Sequence, residues 1–126
     1  MKPLTAEWVQ KAEADFAGVA ALRRARGKAL HDLVCFHCQQ CAEKYLKALL
    51  QEAGVRFPKT HVLTDLLGLT TPMNPKLSVL RPHLQVLEDY AVKFRYPGLY
   101  ATAAQSRASL SAVRAVRRVL RKLLGL

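Results

Sequence analysis

The stretch from about Leu30 to Ala53 is apolar over more than half of a helical circumference, through Val34, Cys38, Cys41, Tyr45, Leu46, Leu49 and Leu50. A helix with so wide an apolar face has to be surrounded by other elements, so this segment predicts the central helix of a bundle, stopped by Gly54. The rest of the chain supplies neighbours of the same kind. Trp8, Ala12, Phe16 and Val19 make the buried stripe of a first helix with Thr5 as N-cap, which frays in the basic stretch from Arg23 to Lys28, at Gly27. Pro58 keeps the next turn extended, and Thr60 is placed to cap a short helix running to about Leu67 and ending at Gly68.

The segment Thr70 to Lys76 reads as a loop, after which Leu77, Leu80, Leu84, Leu87, Ala91 and Phe94 repeat at helical spacing. Pro82 interrupts that pattern, predicting either a kink or a short helix followed by a separate one starting at Pro82. Pro97 and Gly98 force a break, and Thr102 with Gln105 fits a capping box for a last helix reaching residue 124. No segment alternates like a strand. The expectation is one all-α domain spanning 1–126, an up-and-down bundle of four main helices plus a short fifth.

Composition agrees with a compact protein, being 51% hydrophobic and 23% charged. No apolar run approaches the roughly 18 residues of a membrane span. Glu7, Glu13 and Asp15 stand where a signal peptide would be apolar, so the expected location is the cytoplasm, with no membrane partner.

Between Tyr90 and Leu126 lie eight basic residues and no Asp or Glu, a segment that supplies most of the net charge of +11. In a helix over 102–124, Arg107, Arg114, Arg118 and Arg121 fall on one stripe, while Val113, Val116, Leu120, Leu123 and Leu124 fall on another face. Such a stripe suits phosphate groups, and equally a solvated face or an acidic partner protein.

Three further features carry chemistry. Cys35-x-x-Cys38-x-x-Cys41, with His37 between, has part of an iron-sulfur spacing, but a fourth cysteine is absent and the run lies inside a helix. The reading is therefore three small buried side chains, with no metal and no cofactor. On the polar side of the same helix, His37, Gln40, Lys44 and Lys47 recur with Glu43 beside them, a pattern that usually faces water and can also line a site. Lys93 to Tyr100 puts a cation and phenols at the approach to the last helix, able to hold a phosphate or to form a hydrogen-bonded corner.

Phe36-His37-Cys38-Gln39-Gln40-Cys41-Ala42-Glu43-Lys44-Tyr45-Leu46-Lys47, then Lys59-Thr60-His61-Val62-Leu63, then Arg95-Tyr96-Pro97-Gly98 resemble, in order, the signature stretches of the HEPN domain family. The resemblance implies a helical bundle that commonly forms a homodimer. Some relatives are metal-independent endoribonucleases, and others accompany a minimal nucleotidyltransferase or bind nucleotides. The nuclease branch uses Arg followed after four to six residues by His, at a place that reads Arg95-x4-Tyr100 here. A phenol of pKa about 10 is a poor general base at neutral pH. The same spacing recurs as Arg56-x4-His61, Arg26-x4-His31 and Arg24-x6-His31, where about one match is expected by chance in a chain this rich in arginine.

On this reading the chain is a nucleotide- or RNA-binding HEPN module, working beside a nucleotidyltransferase partner in a toxin-antitoxin-like or stress-response system. The alternatives are a metal-independent endoribonuclease and a non-catalytic interaction module. The expected ligand site joins Gln40, Glu43, Lys44, Lys47, Arg95 and Tyr96 in one pocket, the nucleic-acid surface is Arg107, Arg114, Arg118 and Arg121, and any catalytic role falls to Arg95, His61 or Tyr100. His61 can instead pin the loop between the second and third helices by hydrogen bonds.

Overall fold

A computed structural model of the chain describes residues 1–25 and 28–126. It contains five α-helices, α1 (Pro3–Ala25), α2 (Lys28–Glu52), α3 (Leu63–Thr70), α4 (Arg81–Lys93) and α5 (Ala103–Leu123), with a 3-10 turn at Pro75–Leu80 between α3 and α4. Among the described residues there is no strand, and no helix is long and apolar enough to cross a membrane.

α2 is the hub, packed against α1, α3, α4 and α5. Val34, Cys38, Cys41, Tyr45, Leu46 and Leu50 are each at most 1% exposed, which is why its apolar arc exceeds that of a surface helix. α1 contributes Ala12 and Val19, α3 contributes Leu63, Leu66 and Leu67, α4 contributes Leu84 and Leu87, and α5 contributes Val113, Val116 and Leu120 to the same core. At the C-terminus of α2, Gly54 adopts φ 71°, and Val55 N donates to Leu50 O while Gly54 N donates to Gln51 O. This pairing closes the last carbonyls of the helix in a left-handed turn that glycine enters without Cβ strain.

Boundaries shift where a local signal competes with another. α1 begins at Pro3, whose fixed φ and missing N–H suit the first helical turn, so Thr5 is not the N-cap but a fully buried residue inside the helix. The expected fray at Gly27 lies outside the described residues. α3 starts two residues later than the Thr60 cap predicts: Thr60 Oγ1 accepts from Val62 N in the connecting loop, and Gly68 lies inside α3 rather than ending it. Of the two outcomes open at Pro82 the chain takes the second, a 3-10 turn followed by α4 with proline in its first turn. The capping box of α5 forms as read, Thr102 Oγ1 accepting from Gln105 N at 3.1 Å and Gln105 Oε1 accepting from Thr102 N at 2.9 Å.

Candidate functional site

The polar side of α2 does not face water. Gln39, Glu43 and Lys47 are 2%, 3% and 6% exposed, and a carboxylate so placed needs partners to offset its lost hydration. Glu43 has them on both oxygens. Lys47 Nζ donates to Oε2 at 3.0 Å, while Oε1 accepts from Gln39 Nε2 at 3.2 Å and from His61 Nδ1 at 2.9 Å. Gln39 Nε2 also reaches the His61 carbonyl at 3.0 Å, and Gln40 Nε2 donates to Gln39 Oε1 at 2.8 Å. The loop before α3 is thus pinned to α2 through His61. Because Nδ1–H donates to the carboxylate, a neutral His61 leaves Nε2 as an acceptor, on a side chain that is 72% exposed.

The remaining residues of that face belong to a second carboxylate. Asp15 of α1 accepts from Lys44 Nζ at 2.5 Å and from His37 Nδ1 at 2.8 Å. The expected ligand set therefore divides: Lys44 is committed to Asp15 and Lys47 to Glu43, and neither lysine is a free cation.

Arg95 approaches α2 at Phe36 rather than at Glu43. The Arg95 guanidinium lies 5.6 Å from the centre of the Phe36 ring, and Tyr96 and Tyr100 are each 64% exposed. Among the described residues no hydrogen bond links Arg95 or Tyr96 to Gln40, Glu43 or Lys44. Phe36 precedes Glu43 by seven residues, so Arg95 and His61 meet α2 at levels about 10 Å apart along its axis. The turn before α5 is held instead by Asp32, whose Oδ1 accepts from Ala101 N at 2.6 Å. This tie went unread in the sequence, since an Asp near the start of a helix ordinarily serves that helix.

The three cysteines are each 0% exposed. Burial is the largest influence on each thiol, raising Cys35 and Cys38 above the ordinary value and Cys41 to about 12. Ser109 Oγ donates to Cys35 Sγ at 3.4 Å. Thiolate chemistry, whether ligation or nucleophilic attack, is unfavourable in these positions.

The arginines of α5 fall into two groups. Arg107, Arg114 and Arg118 are exposed, and with Arg23 from the end of α1 and His83 from α4 they line a groove of about 550 Å³. No carboxylate is among its lining residues. Arg121 does not belong to this row as the stripe predicts. Together with Arg117 it turns to Glu13 of α1, which accepts from Arg117 Nε at 2.8 Å, Arg117 Nη2 at 2.6 Å and Arg121 Nη1 at 3.2 Å. The bond to Arg117 does most to hold the Glu13 carboxyl below its usual range. Tyr45 donates to the same carboxylate at 2.6 Å, and its hydroxyl is pushed up to about 12, chiefly by burial. Arg23 and His83 were missed because they come from other helices and share no periodicity with α5.

The model of the HEPN domain family matches residues 5–123. The chain belongs to the HEPN domain family. A solved structure described as the crystal structure of an archaeal HEPN homologue superposes with a TM-score of 0.57 at 28% identity, covering 99% of this chain and 98% of that one. A search of the curated proteins gives no match. In this HEPN chain the first two signature stretches meet directly, through the bond from His61 to Glu43, and the third packs one level higher through Arg95 over Phe36. Of the other Arg and His spacings, Arg56 is exposed, His31 Nδ1 pairs with Ser106 Oγ at 2.9 Å, and Arg26 lies outside the described residues.

Proposed function

We propose that this HEPN domain is a nucleotide- or RNA-binding module, and that RNA phosphates are its primary ligand. The observation that carries the reading is the convergence of Arg23, Arg107, Arg114 and Arg118 on one groove with no lining carboxylate. Guanidinium groups that pair with no carboxylate among the described residues, on a concave surface, are the electrostatic footprint of a phosphate-binding site. The homodimer and the nucleotidyltransferase partner implied by the family resemblance, in a cytoplasmic toxin-antitoxin-like or stress-response system, complete the reading.

Anisotropy titration of labelled single-stranded RNA across a range of salt tests it. With four arginines on phosphates, the slope of log affinity against log salt is expected to be about −2.8, becoming shallower by about 0.7 for each Arg→Gln substitution. A triple Arg107→Gln, Arg114→Gln, Arg118→Gln variant that binds as tightly as wild type at low salt refutes the role of the groove.

A second reading, metal-independent RNA cleavage, is favoured by one observation: buried Glu43 orients an exposed His61 with Nε2 outward. That nitrogen is placed to accept the proton of a 2′-hydroxyl as its oxygen bonds to the adjacent phosphorus and the bond to the 5′-oxygen breaks. The departing oxygen takes a proton from water.

A further inference from the structure

Next to the arginine groove lies a second hollow of about 230 Å³, and the two share Arg23 and Arg107 as a common rim. Their chemistry differs. Leu22, Leu30 and Val34 give the smaller cavity aliphatic walls, with His31 and Ser106 as its polar lining beside the rim. Ser106 Oγ lies 3.0 Å from Ala103 O and 2.9 Å from His31 Nδ1, and with its single proton on Ala103 O the imidazole is the donor to Ser106. A neutral His31 is then left with Nε2 as an acceptor. An apolar slot with one acceptor matches a nucleobase, which presents a flat apolar face and an N–H edge. At about 230 Å³ the cavity is smaller than the 300 Å³ or so at which drug-sized sites begin, and suits one base rather than a whole nucleotide.

The groove sets the length of the ligand. Arg107 and Arg118 are eleven residues apart on α5, about 16 Å along its axis. That distance is longer than the phosphate chain of a nucleoside triphosphate and matches several successive phosphates along a strand. We infer that the two hollows form one composite site for a single-stranded polynucleotide, its phosphates along Arg107, Arg114 and Arg118 and one unstacked base in the cavity beside His31. This deepens the RNA-binding reading and rests on it. A duplex is excluded from the cavity because its bases are paired and stacked inward, whereas an unpaired base can be splayed out of the strand.

The test compares three labelled probes of about twelve nucleotides at low salt: a single strand with its bases, the same backbone with abasic spacers, and a duplex. Wild type is expected to bind the base-bearing strand about fivefold or more tightly than either of the others, the value of one bound base. Ala103 lines the cavity and is exposed at the start of α5, so Ala103→Trp fills the slot without entering the core. Ala103→Trp and, independently, His31→Phe should reduce the base-bearing strand to the affinity of the abasic one while leaving abasic binding and its salt dependence unchanged. Arg114→Gln should weaken both strands alike. Equal wild-type binding of the base-bearing and abasic strands, or full base preference in both cavity variants, overturns the inference and leaves the phosphate groove standing. Failure of wild type to bind any probe removes the RNA-binding reading itself, and the composite site with it.

Discussion

Replacing Glu13 with Ala removes the acceptor of four hydrogen bonds at once, from Tyr45, from Arg117 twice and from Arg121. Charge-assisted hydrogen bonds contribute about 1.5–3 kcal/mol each when fully buried. Glu13 and Arg117 retain 32% and 27% side-chain exposure, however, so water can replace part of what is lost. Arg117 also keeps its place 4.2 Å from the centre of the Phe16 ring. After discounting for solvent screening, the expected cost at pH 7 is about 2–3 kcal/mol for the whole cluster, or roughly 8–12 °C in melting temperature for a chain of this size. Urea unfolding of wild type, Glu13→Ala, Arg117→Ala and the double variant should give a coupling energy of about 1–2 kcal/mol. Because the folded-state pKa of Glu13 is depressed, its contribution is full above the ordinary value of 4.5 and is lost as pH falls through the lower folded value. The stabilities of wild type and Glu13→Ala should therefore converge below about pH 4.5. A coupling energy near zero at pH 7, or a difference that persists unchanged at pH 2.5 or so, refutes the assignment of this stability to the ionised carboxylate.

At the alkaline end, Tyr45 is raised from 10 to about 12, so stability present below pH 10 should decline between those values, and Tyr45→Phe should remove that decline from an alkaline unfolding profile. RNA incubated with wild-type protein and chelator at neutral pH is expected to stay intact, because the spacing Arg95-x4-Tyr100 offers a phenol rather than an imidazole as base, and Arg95 and His61 meet α2 at different levels. Cleavage that is lost in both Arg95→Ala and His61→Ala would establish the catalytic reading, while cleavage switched on by Tyr100→His would show that only the base is missing. Protein purified without added metal should contain no stoichiometric iron or zinc. Its cysteines should react with thiol reagents only on unfolding, since burial disfavours the thiolate in all three; bound metal or rapid alkylation of the native protein would contradict this.

What the sequence determined by itself is the architecture, because the signals for it are local. The apolar arc of α2, the glycine that ends it and the Thr102 and Gln105 box that starts α5 act between residues a few positions apart, where spacing alone decides which side chains meet. Where two local signals compete, as with Pro3 against Thr5 at the start of α1, the proline prevails through a conformational constraint no side-chain cap can match. The division of the charges was decided only by tertiary structure. Arg121 lies on the same stripe as Arg114 and Arg118, yet it pairs with Glu13, 108 positions away, while the others remain open with Arg23 beside them. Lys44 and Lys47 sit on one polar face, yet each is neutralised by a carboxylate, Asp15 for the first and Glu43 for the second. Helical periodicity states the direction in which a side chain leaves its own helix. Whether that charge meets a carboxylate, a groove or water depends on which helix is packed opposite, and this arrangement is set by the burial of the core as a whole.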